Sequence, residues 1–147
     1  MVLELLIVLP LLVIGSMAAV EMGLWMAGRQ RLEMATRMGI EEAAVSLNFN
    51  EVQSKVRTYL SNANVPVNNV DMLLIHNVGG DEVRLSSRPD ADFSGITLPL
   101  VASRKPHVRL VVRVPSDALA PNLLKTFGFD LNKHWSIRAK THRFEGT

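Results

Sequence analysis

No cysteine occurs in the 147-residue chain, which excludes disulfides and thiolate metal sites. That absence leaves the compartment open. Runs of lysine and arginine interleaved with aromatics are also missing, and a net charge of +2 makes no case for nucleic acid. The usual catalytic signatures are absent too: no HExxH spacing, no GxSxG elbow and no phosphate-cradling glycine loop. His76, His107, His134 and His142 fall in separate segments, where surface or internally satisfied histidines are the expectation rather than a metal site. Glu41 and Glu42 are adjacent on an expected helix and point about 100° apart, so they form no acid/base pair. Gly79–Gly80 is better explained by a turn. No internal repeat or low-complexity segment interrupts the chain. These absences predict a protein with no enzymatic activity, cofactor, metal or small-molecule substrate.

What the chain has instead is a concentrated apolar start. Hydrophobic residues make up 48% of the sequence, and their excess lies in the first 27 positions. No residue between Leu5 and Val20 is charged, and allowing Glu21 the run continues to Ala27. As a helix that stretch measures about 34 Å, enough to cross a hydrocarbon core about 30 Å thick. A cleaved secretory signal would want bases ahead of the apolar core, whereas this chain opens "MVLE"; the "SMAA" near Ala19 is its one passable cleavage site. A buried core helix would need a far more hydrophobic remainder to wrap it. Residues 1–27 are therefore expected to be a retained transmembrane anchor, with 28–64 a helical stalk and packing helix, and 65–147 a β domain.

Three residues are unusual within that anchor. A carboxylate deep in a bilayer costs about 2.5–3.5 kcal/mol, so it is neutral, paired or close to an interface. Glu4 and Glu21 lie about 25 Å apart along the axis, which allows each to sit near an opposite membrane face. Trp25 beside Glu21 fits an aromatic at headgroup level. Pro10 deprives the Leu6 carbonyl of its helical partner, predicting a kink or a helix built to change its local shape.

Downstream, Leu32, Ala35, Gly39, Ala43 and Leu47 recur at three- and four-residue steps, a stripe of mostly small residues that permits close helix packing. A second helix is expected with Asn50 as N-cap, Gln53 as its reciprocal partner, and Val45, Phe49, Val52, Val56, Tyr59 and Leu60 as its apolar face. Strands are expected over Val70–Asn77, Glu82–Ser87, His107–Pro115 and Trp135–Phe144, with a long excursion over Asp90–Pro106 and a short helix broken by Pro121. The fold class is α+β: a long N-terminal helix followed by an antiparallel sheet of about four strands packed on the Asn50–Leu60 helix. Alternation makes Arg84, Arg109, Arg113, Arg138 and Lys140 candidates for a single exposed basic face, either plainly solvated or suited to an acidic partner.

The residues "LELLIVLP" (Leu3–Pro10), "VEMG" (Val20–Gly23), "RQRLEMATR" (Arg29–Arg37), "EEAA" (Glu41–Ala44) and the closing Arg143-x-Glu145 together resemble the pattern of TadE-like minor pseudopilins. These belong to the tight-adherence branch of type IV pilus machines. The resemblance implies a pilin-like fold and assembly into a pilus or secretion pseudopilus, with other pilins and the inner-membrane assembly platform as partners alongside membrane lipid. It implies that Glu4 pairs with the N-terminal amine of a neighbouring subunit, and it places Pro10 and Glu21 in the assembly helix. Processing by a prepilin peptidase would require a basic leader ending in glycine ahead of Met1. Orientation is contested, because Arg29, Arg31 and Arg37 favour a cytoplasmic domain by the positive-inside rule. The resemblance implies a periplasmic domain on a single-pass inner-membrane protein. The reading from another class is a membrane-anchored binding module that uses the basic face and never polymerises.

Overall fold

A computed structural model describes residues 2–78, 81–91, 93, 106–128, 130 and 134–144. The expected hairpin glycines Gly79 and Gly80, most of the 90–106 excursion and the terminal Glu145 lie outside the described residues.

The chain is α+β. Helix α1 runs unbroken from Val2 to Ser46, with Pro10 inside it. Leu47 takes a left-handed conformation, φ 51°, which ends α1 and turns the chain into α2, Phe49–Asn62. That conformation is unfavourable for a residue with a branched side chain, and packing of Leu47 against the core offsets the cost. The cap of α2 lies two residues earlier than its sequence suggests. Asn48 accepts from the Asn50 amide and so does the work expected of Asn50. Glu51 accepts only from the Asn48 side-chain amide, and the Asn48 backbone N–H donates to Ser46, so the reciprocal bond expected of Gln53 is not made. Val52, Val56 and Leu60 form the buried face of α2, whereas Val45 remains on the outer side of α1 and is exposed.

The sheet has the order β2-β1-β3-β4, all antiparallel, with β1 Asp71–His76, β2 Val83–Ser86, β3 His107–Pro115 and β4 Trp135–Arg143. Between β3 and β4 the chain makes two 3-10 turns, Ser116–Ala118 and Leu123–Phe127, one on each side of Pro121 where a single broken helix is expected. Val108, Leu110, Val112 and Val114 of β3 meet Leu32, Ala35 and Ala43 of α1 and the buried face of α2 in the main core.

The helix lying across β3 and β4 is α1 rather than α2. The small-residue stripe explains why. At Gly39 a Cβ atom would stand 2.5 Å from both Leu110 Cδ2 and Val56 Cγ2, so α1 lies against strand and second helix at a distance only hydrogen allows. The C-terminal half of α1 thus contributes Leu32, Ala35, Ile40 and Ala43 to the core.

The second face of the sheet is buried at its centre as well. Leu73, Ile75 and Val111 form a smaller cluster with Phe93 and Ile137 against it. The near-continuous apolar run of β1, "DMLLI", is the sequence form of two-sided burial.

Candidate assembly helix and its junction with the domain

The projecting part of α1 is apolar in every direction. Leu6, Ile7, Val8, Leu9, Leu11, Leu12 and Val13 are exposed at half or more of their surface, and the helix is long and apolar enough to cross a membrane. Ser16, the one hydroxyl in this stretch, donates to the Leu12 carbonyl at 2.8 Å, so its polar group is satisfied within the helix. Glu4 sits exposed in the first turn, where a carboxylate is favoured by the helix dipole. Pro10 is exposed and within the helix.

Glu21, unlike Glu4, is covered by the domain. Its residual exposure is 6%, and it is the first residue of α1 that is buried among the described residues. One carboxylate oxygen accepts the backbone N–H of Leu124 at 2.9 Å, across 103 residues of sequence. Leu124 lies in the first turn of the Leu123–Phe127 segment, where amides have no partner inside their own helix. Glu21 therefore fastens that turn to α1. Gly28 makes a second fastening, since a Cβ there would lie 2.7 Å from Leu119 Cβ and 2.8 Å from its carbonyl oxygen. Between them Trp25 packs against the core, with the Arg29 guanidinium 4.5 Å above its ring.

Removing the carboxylate in Glu21→Ala strands the Leu124 amide and is expected to cost about 1–3 kcal/mol. Glu21→Gln keeps an acceptor oxygen and is expected to cost much less. Hydrogen exchange at the Leu124 amide separates the two: fast in the alanine variant, protected in the glutamine one. Equal protection in both would show that the bond is dispensable.

The five bases do not share a face. Residues directly opposite in antiparallel strands point to the same side, and Val112 is opposite Arg138 while Leu110 is opposite Lys140. Arg138 and Lys140 thus lie on the α1 side, where Lys140 pairs with Glu33 at 3.2 Å and Arg138 donates to the Ile137 carbonyl. Arg84, Arg109 and Arg113 are on the other side, and two of them are not solvated. Arg109 is 7% exposed and donates to Thr141 at 3.1 Å; burial lowers its pKa from the ordinary value, with Glu82 pulling the other way. Arg113 donates to the buried Asp71 at 2.8 Å and lies between the rings of Trp135 at 4.2 Å and Phe93 at 5.2 Å. Arg84 is exposed and held by Glu82 at 2.6 Å. The single basic face is corrected to internal bonding on two sides of the sheet, because register, which decides the faces, is not visible from one strand at a time.

One signal for Glu21's role was present in the sequence. Glu21, Trp25, Gly28 and Leu32 continue the small-residue stripe toward the N-terminus at steps of four, three and four. Its partner Leu124 carried none.

Chemically, the arrangement offers a lipid-length helix with an acid near its start, joined to a folded domain through the contacts of Glu21, Trp25 and Gly28. Among the described residues no group of three histidine, aspartate or glutamate side chains gathers to hold a metal ion. No protein-family model, curated protein or solved structure matches this chain.

Proposed function

We propose that this chain is a single-pass inner-membrane protein of the TadE-like minor pseudopilin type, a structural component that enters or primes a pilus or secretion pseudopilus. The observation that best supports this reading is the double use of α1. One uninterrupted 45-residue helix presents an apolar projecting half and contributes its other half to the core of an antiparallel domain. A subunit built this way has no break between its projecting helix and its domain. Its partners are other pilins or pseudopilins and the assembly platform in the membrane, with the domain on the periplasmic side; a prepilin peptidase joins them where a leader precedes the chain.

The mechanism is lateral. Projecting helices bundle through their apolar surfaces, and Glu4 binds an α-amine of the adjacent subunit, because a carboxylate at lipid depth needs a cation at the same depth. Pro10 gives the projecting helix local freedom in passing between membrane and filament, since its ring removes one backbone hydrogen bond.

Glu4→Ala is the decisive substitution. It is expected to leave membrane insertion unchanged while abolishing crosslinking to neighbouring pilins and recovery in sheared filaments. Normal filament incorporation of this variant would refute the pairing. The reading as a basic binding module has no observation in its favour, since the face it requires is divided between two sides of the sheet.

A further inference from the structure

Glu21 and the turn it holds are at an unusual depth. The outer side of α1 stays apolar past Glu21: Val20, Met22, Leu24 and Met26 are all exposed, and polarity begins only with Arg29 and Gln30. From Leu6 to Met26 the helix rises about 30 Å, which matches the hydrocarbon thickness. The inner side of the same stretch, Glu21 to Gly28, is the side on which the domain packs. One flank of this segment is thus built for lipid and the other is covered by the Leu123–Phe127 turn. A turn bonded to α1 at Glu21 lies beside residues that need hydrocarbon.

The exposed groups at this end fit that depth. Phe127 is 53% exposed, and Lys125 beside it is exposed too, its long stem able to bring the charge to the headgroups. The chain has only two tryptophans. Trp25 is on α1 in this stretch, whereas Trp135 lies on the far side of the sheet with its ring on Arg113. Aromatic residues of this kind concentrate where acyl chains meet headgroups.

We propose that the Leu123–Phe127 turn, with Phe127 and Lys125 exposed beside Trp25, is an interfacial foot by which the domain rests in the phospholipid headgroup–acyl boundary where α1 leaves the bilayer. The proposal rests on the membrane-anchored reading above and deepens it. The foot fixes the tilt of the domain on the membrane. It also explains how Glu21 is tolerated below the level of Met26: the turn supplies its carboxylate with a backbone N–H and covers it from lipid.

The absence of cysteine makes the test direct, since each introduced thiol is a unique labelling site. Full-length Leu12→Cys, Phe127→Cys and Asn50→Cys variants carry a fluorophore in phosphatidylcholine nanodiscs, with quenching read from lipids spin-labelled near the headgroup or deep in the acyl chain. The expected result is deep quenching at the Leu12 site, shallow quenching at the Phe127 site several-fold above the Asn50 site, and almost none at the Asn50 site. Quenching at the Leu12 site with none above the Asn50 level at the Phe127 site overturns the foot and leaves the anchor standing. No quenching at the Leu12 site overturns both. Should labelling at the Phe127 site unfold the domain, Lys125→Cys carries the same fluorophore on the same turn; shallow quenching there above the Asn50 level supports the foot, and its absence rejects it.

Discussion

Asp71→Ala is expected to destabilise the domain by about 3–5 kcal/mol, the cost of removing one partner from a buried ion pair. Asp71 is 1% exposed and stands directly opposite Arg113 in the β1–β3 ladder. Its carboxylate takes the Arg113 guanidinium at 2.8 Å, and Arg113 has an aromatic ring on each side, Trp135 and Phe93. Loss of the acid leaves a delocalised cation in a site with little water, and the ring contacts compensate only in part. The second arginine on Asp71, Arg88 at 3.5 Å, is half exposed and adds little.

At this size each kcal/mol lowers Tm by roughly 2–4 °C, so the midpoint is expected to fall by about 10 °C in thermal unfolding. Two further measurements decide whether burial is the cause. High salt should leave the loss unchanged, because a buried pair is poorly screened. The double replacement Asp71→Leu with Arg113→Met should recover most of the stability, since no uncompensated charge remains. A loss of less than about 1 kcal/mol in the single variant, the range of exposed pairs, would sink this account.

The pair also shows what the sequence can and cannot reveal. β3 was legible to the residue as His107–Pro115, because Val108, Leu110, Val112 and Val114 recur with period two. The α1 stripe was legible because small residues at helical spacing have few other uses. The partners were not. Asp71 begins β1, Arg113 lies near the end of β3, and only the six-residue register of that ladder sets them opposite each other. The same dependence misled the reading of Arg138 and Lys140, whose own strand alternates as expected but is set against β3 so that they face the helix. Capping failed for a different reason. Asn48 and Asn50 are equally good caps by residue type, and the choice between them is made by where Leu47 turns the chain. Glu21 was visible as an anomaly from the first residues onward. What satisfies it was not, because a backbone amide has no side-chain identity to recognise.

Those outcomes divide α1 into a part whose sequence is constrained by packing and a part constrained by its surroundings, and the second part gives the other large effect. Placing charges at Leu12 and Val13, in Leu12→Lys with Val13→Lys, is expected to remove about 5–7 kcal/mol of membrane insertion free energy, from about 2.5–3.5 kcal/mol per lysine near the helix centre. Both side chains are more than half exposed, so neither contributes to the core. Their replacement should therefore leave thermal unfolding of the domain unchanged while shifting the protein from the alkaline-resistant membrane pellet to the soluble fraction. At about 1.4 kcal/mol per decade the partition changes by roughly four orders of magnitude, which fractionation reads as all or none. A helix whose apolar surface belonged to a protein core would respond in the opposite way, losing the fold and leaving the fraction unaltered. Retention in the pellet with an intact domain would show that something other than Leu6–Met26 holds the protein to the membrane, and the depth assigned to Glu21 and to the Leu123–Phe127 turn would fall with it.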